Sequence, residues 1–347
     1  MEISKLKIRI IVSFSIIFGA LQAQDIHFSA MDYSPLTVNP ALAGADNKIQ
    51  AIANYRTQWN AVSSPFQTIA ASYDMRFLDK DPSNKGFLAA GINFFNDDAG
   101  DNNLQSNDIG LSIAYHLFVN SENRVSLGLQ SGFGQRSIVN QGTWGNQYTG
   151  GFFDPNAATG ENFENASFSF FDVGAGMVYS YTPKQTSSYN NGTRINVGFA
   201  GYHLNQPGYS FINDENDNLY ARWSSFATAE IGLGDKRMAI EPHLFMQIQG
   251  PSVETIFGTD YRFFLGDGSS SNGFYDGISL AAGVFYRNQD ALLSRFSVRF
   301  QNFDAGMVYD FNVFSSLQAV SRGRGAAEVF LRYILNGSQN KSRVRIR

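Results

Sequence analysis

The 347-residue chain contains no cysteine. That absence removes disulfides, thiolate metal sites, a cysteine nucleophile and a lipidated N-terminal cysteine together. Histidine is nearly as scarce: His27, His116, His203 and His243 stand far apart, with none of the short spacings that build a zinc site. There is no G-x-S-x-G, no P-loop and no dinucleotide fingerprint, so the sequence supports neither an enzyme nor a cofactor. Glu241 and His243 lie two apart on an expected strand and therefore share a face; an acid–base pair and a polar lumen contact both remain open. Charged residues are only 16% of the chain and its net charge is −4, which argues against nucleic acid as a partner. Proline is also sparse, at 9 residues.

One long apolar run is present, and it is terminal. Lys5, Lys7 and Arg9 precede Ile10–Ala20, and small residues follow up to Ala23. This reads as a secretory signal peptide over 1–23, too short for a bilayer-spanning helix, with the mature chain starting at Gln24. Its removal takes away three bases and one acid, moving the formal charge from −4 to −6.

What the chain has in abundance is Phe (31), Tyr (16) and Gly (33), the composition of strands joined by glycine turns. The stretch FDAGMVYDFN sets Phe303, Ala305, Met307, Tyr309 and Phe311 against Asp304, Gly306, Val308 and Asp310, so one face is apolar and the other polar or small. The same alternation marks about fourteen segments: 48–56, 66–77, 86–96, 107–117, 124–136, 168–181, 193–204, 223–233, 237–249, 252–265, 277–287, 291–300, 303–313 and 326–335. Nearly all exceed the usual strand of a globular sheet and suit a tilted membrane strand. Alternation alone also fits a secreted soluble sandwich. Connection lengths favour the membrane reading: the two longest gaps, 137–167 and 205–222, fall on one side, and most connections on the other side are short. Tyr115, Phe118, Tyr179, Tyr181, Phe263, Phe264, Tyr286 and Tyr333 fall near strand ends, where interfacial aromatics are expected. The fold expected is all-β: a transmembrane antiparallel barrel of about fourteen strands over 48–335, followed by a basic tail, 336–347.

Within the loops, Trp144, Tyr148, Phe152 and Phe153, with Tyr220 and Trp223 beside them, are candidate anchors for a partner. Arg322 and Arg324 in SRGRG mark either a second contact or a plain loop. The acidic stretch Ile212–Asn218 is either a calcium-binding loop or a solvated one. Arg56 is expected to end the first strand with Trp59 following it, the two either making a cation–π or stacked contact that holds the loop over the mouth or serving only as an interfacial anchor.

Gln24–Asn47 is too irregular for a membrane strand and too apolar for a loose tail, with Pro35 and Pro40 breaking any regular pairing; it is expected as a periplasmic or lumenal plug. With HFSAMDYSPLTVNPALAG, including Asn39, Pro40, Ala41 and Gly44, and then Tyr55, Arg56, Gln58 and Trp59, the chain resembles the PorP/SprF family of type IX secretion proteins from the Bacteroidetes. The likeness continues through Gly283, Tyr286, Arg287 and Asp290, and through Asp310, Asn312, Ser316, Leu317, Gly325, Glu328 and Tyr333. The resemblance implies an outer-membrane barrel similar to fatty-acid transporters. Its implied partners are outer-membrane lipid, the type IX components, and secreted cargo engaged through the cargo's C-terminal domain. The implied role is export or surface retention of that cargo, gliding adhesins included in some members. The alternative is a channel for a small apolar solute, in which Gly174, Gly176, Gly198 and Gly306 make room for a solute or a plug.

Overall fold

Alternating strands of ten or more residues bury one face and expose the other, and in a computed structural model they close on themselves. The structure describes residues 25–60, 64–77, 85–100, 104–138, 144–160, 167–183, 193–212, 217–233, 237–265, 278–314 and 318–335. The proposed signal peptide, the basic tail, most of the acidic stretch, and Ser316 and Leu317 lie outside them.

Fourteen strands form a closed antiparallel barrel. They are β1 (Ile49–Gln58), β2 (Phe66–Phe77), β3 (Gly86–Ala99), β4 (Leu104–Phe118), β5 (Asn123–Ile138), β8 (Ser167–Tyr181), β9 (Thr193–Tyr202), β10 (Arg222–Gly232), β11 (Met238–Gln249), β12 (Ser252–Leu265), β13 (Ile278–Arg287), β14 (Ala291–Phe300), β15 (Phe303–Asn312) and β16 (Arg324–Leu335). Two short strands, β6 (Tyr148–Thr149) and β7 (Phe152–Phe153), make a separate hairpin between β5 and β8. Each barrel strand pairs with its neighbours in sequence order, and β1 closes on β16 from Ile49↔Leu335 to Gln58↔Ala326. Closure satisfies the backbone wherever neighbouring strands run side by side and removes the two free edges an open sheet would have. Every expected segment corresponds to one strand. β3 and β4 run further than expected, to Ala99 and from Leu104, because their polar ends carry no apolar alternation to read.

The apolar face looks outward. In β15, Phe303, Met307 and Phe311 are exposed, whereas Asp304 and Asp310 are buried; Leu127, Leu129 and Phe133 of β5 are likewise exposed while Ser126 and Gln130 face in. Tyr115, Phe118, Tyr179 and Phe263 are exposed as interfacial residues should be, but Phe264 is buried: a neighbour on a strand necessarily takes the opposite face. Pro242 stands inside β11. Its missing N–H accounts for the gap in the β10–β11 ladder between Thr228↔His243 and Ile231↔Ile240.

Residues 25–47 lie in the barrel interior. Prolines open two of their short turns, the helix Pro35–Val38 and the 3-10 turn Pro40–Leu42, as a residue without an N–H suits a first helical position. Asn39 bridges the two, its side chain accepting from the Ala41 N–H at 2.9 Å. Ala30, Met31, Tyr33, Leu36, Val38, Ala41 and Ala43 are all buried. The segment starts at the mouth formed by the ends of β9 and β11 and leaves at the opposite mouth, where β1 begins.

Candidate functional site

The residues that carry the family likeness are dispersed in sequence, and four of them meet around one hydroxyl. Ser29 Oγ accepts from a guanidinium nitrogen of Arg56 and, at 2.7 Å, from Arg287 Nη2, and it donates to Asp310 Oδ2 at 2.8 Å. The Ser29 backbone N–H donates to Glu328 Oε2 at 2.7 Å and that of Ala30 to Oε1 at 3.3 Å. Arg56 is in turn paired with Asp310 at 3.1 Å and Glu328 at 3.4 Å, and Arg287 with Asp310 at 3.0 Å, Asp290 at 3.1 Å and Glu254 at 3.1 Å. Barrel closure makes this possible: Arg56 on the first strand sits directly across from Glu328 on the last. Gln58 accepts from Arg56 at 3.2 Å. Arg56 therefore does not stack on Trp59. Its side chain points into the lumen and is wholly buried, while Trp59, with φ 60°, packs edge-on against Phe66 at 4.6 Å. Tyr55 points outward, and Tyr286 packs between Phe257 and Phe314. Asn312 donates to the Arg324 carbonyl at 3.3 Å.

A second charged group holds the next turn of the segment. Asp32 pairs with Arg295 at 2.5 Å, and the Tyr33 hydroxyl donates to Asp304 Oδ2 at 3.1 Å. The Tyr33 ring stacks on Phe330 at 3.7 Å, with the Arg332 guanidinium 4.5 Å from its centroid. Asp304 lies in register between Arg299 and Arg332 and pairs with both. Arg295 reaches Asp260 across β13 because Gly283 lies between them in register; a Cβ there would strike the Asp260 carboxylate. Glu241, His243 and Asp260 bring their ligand atoms within 4.8 Å of one another. Glu241 is held by Arg262 at 2.6 Å and Asp260 by Arg295, so each carboxylate already has a guanidinium partner. The Glu241–His243 pair thus belongs to a lumenal ion network. Sequence reading overlooked Arg262, Arg295, Arg299 and Arg332; their signal was charge recurring on the inward set of an alternating strand, as in Arg295 and Arg299 of β14 and Glu328 and Arg332 of β16.

The remainder of the segment is held by its backbone. His116 Nε2 lies 2.8 Å from the Ala43 carbonyl oxygen; Arg76 donates to Gly44 O and Ala45 O at 2.5 and 2.8 Å, and Arg124 to Ala45 O at 2.6 Å. Asn39 Nδ2 donates to the carbonyls of Met177 and Phe199, each at 3.0 Å. Pro40 and Ala41 press on Gly128, where a Cβ would collide with their backbone, and Gly176 leaves room for the Asn39 amide. Gly198 also faces Asn39, whereas Gly174 faces Tyr202 and Gly306 faces Phe330. Gly44 takes φ 64°, a left-handed conformation, as the segment turns toward β1.

At the other mouth, Asp25 pairs with His203 at 2.5 Å and Arg222 at 3.2 Å, and accepts from Gln249. Burial would raise the Asp25 pKa, but the His203 and Arg222 charges hold it well below the usual carboxylate range. Burial would lower His203; Asp25, and Asp172 at 2.9 Å, instead raise it to about 9. Of the loop aromatics, Tyr148 and Phe153 pair across the β6–β7 hairpin at 5.4 Å, and Phe152 is 81% exposed at its tip. Trp144 is half-buried. Tyr220 packs near Gly250, and Trp223 stacks on Phe199 at 5.5 Å on the outer wall. Arg322 and Arg324 are exposed, either side of Gly323.

Comparison with known proteins places this geometry. The family model described as "Type IX secretion system membrane protein PorP/SprF" matches residues 20–333. No curated protein matches significantly. Among solved structures, the chain is similar to the Ralstonia pickettii toluene transporter TbuX (10% identity, 87% of this chain and 94% of that one, TM-score 0.48). It is also similar to a TodX monoaromatic hydrocarbon channel mutant (9%, 88% and 94%, 0.49) and to a Pseudomonas aeruginosa FadL homologue (10%, 85% and 92%, 0.45).

Proposed function

Because the chain belongs to the PorP/SprF family of type IX secretion system membrane proteins, an outer-membrane barrel, we propose that it supports secretion or surface attachment of specific cargo through the loops at the β6–β7 mouth, taken to face the exterior. Under this reading the export signal is 1–23 and residues 24–47 are a lumenal plug. The observation that carries the reading is a contrast: the lumen is filled by buried residues of the chain itself, whereas Tyr148, Phe152 and Phe153 stand exposed at the mouth. A filled lumen weighs against a solute channel. A rigid wall presenting exposed aromatics suits capture of a protein, since aromatic and arginine anchors dominate such contacts. The cargo's C-terminal domain is the part proposed to bind, with gliding adhesins among the candidate cargoes. Deleting 141–156 leaves the barrel folded, as heat-modifiable migration in detergent gels will report, and strips cargo from the cell surface. A folded deletion variant with normal surface cargo would remove this loop from the account.

A further inference from the structure

One seam of the wall steps abruptly. β5 and β8 pair without a shift from Asn123↔Tyr181 to Ser137↔Ser167, but β8 and β9 pair only from Tyr181↔Ile195 to Ala175↔Gly201. β9 ends where His203 and then Gln206 take left-handed conformations, φ 54° and 42°, and the His203 ring turns inward to Asp25 and Asp172. The chain adds one more rung beyond β9. Leu204 N–H donates to Val173 O at 3.0 Å, Asn205 Oδ1 accepts from Val173 N–H at 3.1 Å, and Asn205 Nδ2 donates to Phe171 O at 2.7 Å. Val173 thus turns both its backbone groups toward β9. In an unshifted ladder Phe171, Ser169 and Ser167 do the same. The Phe171 N–H, both groups of Ser169 and the Ser167 carbonyl have no partner on that side among the described residues. The strand is nevertheless held firmly: β5 pairs along its other edge, and Tyr209 and Phe211 pack edge-on against Phe168 at 5.1 and 4.8 Å on its inner face.

We propose that the upper edge of β8, Ser167–Phe171, is a β-augmentation site that receives an extended segment of the secreted partner. This rests on the reading that this mouth binds cargo. Alternating N–H and C=O groups, repeating about every 6.8 Å, are complementary to another extended backbone and to little else. The exposed outward side chains Ser167 and Ser169 are small, and Phe171 beside them is exposed and apolar. The segment preferred is therefore one with an apolar residue passing Phe171 and no constraint on bulk beside the serines.

Ser169→Pro deletes an N–H that faces away from β5, so the β5–β8 ladder keeps its bonds and the barrel folds; Ser169→Ala is the control. Cells carrying each variant are compared by surface biotinylation of their own type IX-secreted proteins. S169P lowers surface cargo up to about tenfold, the worth of one hydrogen bond of about 1.4 kcal/mol, and S169A leaves it unchanged. In barrels isolated with their bound surface proteins, the Ser169 and Phe171 amides exchange more slowly than in stripped barrels. A folded S169P barrel with undiminished cargo overturns the proposal, as does equal exchange in the two preparations. Slow exchange in stripped barrels that run as dimers would overturn it in favour of a second copy. If deletion of 141–156 strips cargo while S169P does not, this inference fails alone; if neither does, the docking role fails with it.

Discussion

The two halves of the lumenal segment are held in opposite ways. From Asp25 to Tyr33 the barrel grips side chains: Ser29, Asp32 and Tyr33 each meet a charged partner on β13–β16 or β1. From Leu36 to Ala45 it grips carbonyl oxygens, through Tyr202, His116, Arg76 and Arg124, and shapes the wall with glycines. The first half is specified residue by residue. The second is specified by backbone path and small volume. Breaking the first strands buried charge; breaking the second costs hydrogen bonds and packing.

The comparison predicts an ordered set of losses, read by thermal unfolding in detergent. Arg56→Met leaves Asp310 and Glu328 short of a cation and costs about 3–5 kcal/mol, the largest effect expected. Gly128→Ala, in the second half, overpacks against Ala41 and costs about 1–3 kcal/mol. Asn39→Ala leaves the buried Ala41 N–H without its acceptor and removes the amide's bonds to the Met177 and Phe199 carbonyls, for about 1–3 kcal/mol. A loss from R56M no greater than that from N39A would erase the distinction between the halves. The Asp25–His203 dock contributes a smaller, pH-dependent part. His203, raised from 6.5 to about 9, stabilises fully below pH 6.5 and loses that contribution as pH climbs through about 9. Asp25, lowered from 3.8, loses its own only in acid. Proteolysis of the N-terminal end therefore accelerates above pH 9, and a rate flat from pH 6 to 10 would exclude the dock. Phe152→Ala, at an exposed tip, changes stability by less than about 0.5 kcal/mol.

Strand number was legible because period-two alternation is a local property, whereas the outward direction of Phe303, Met307 and Phe311 needed strand and connection lengths as well, since alternation alone also suits a sandwich. The segment before β1 was also marked, by being too apolar for a tail. Its partners were not legible. Arg56 and Glu328 are 272 residues apart, and their meeting depends on which strand closes the barrel and in what register, a global property that no spacing encodes. Asp260 and Arg295 depend on the same kind of register, across a glycine. The misplacement of Arg56 against Trp59 arose from reading adjacency in sequence as contact, when strand neighbours two or three apart diverge once the strand ends.

Conductance in planar bilayers tests the central claim, a lumen closed by the chain's own N-terminal segment, most directly. The account predicts no steady current through the intact barrel, and open, ion-conducting steps once Arg56→Met and Arg287→Met together release the Ser29 end. A steady open pore in the unsubstituted protein would contradict it.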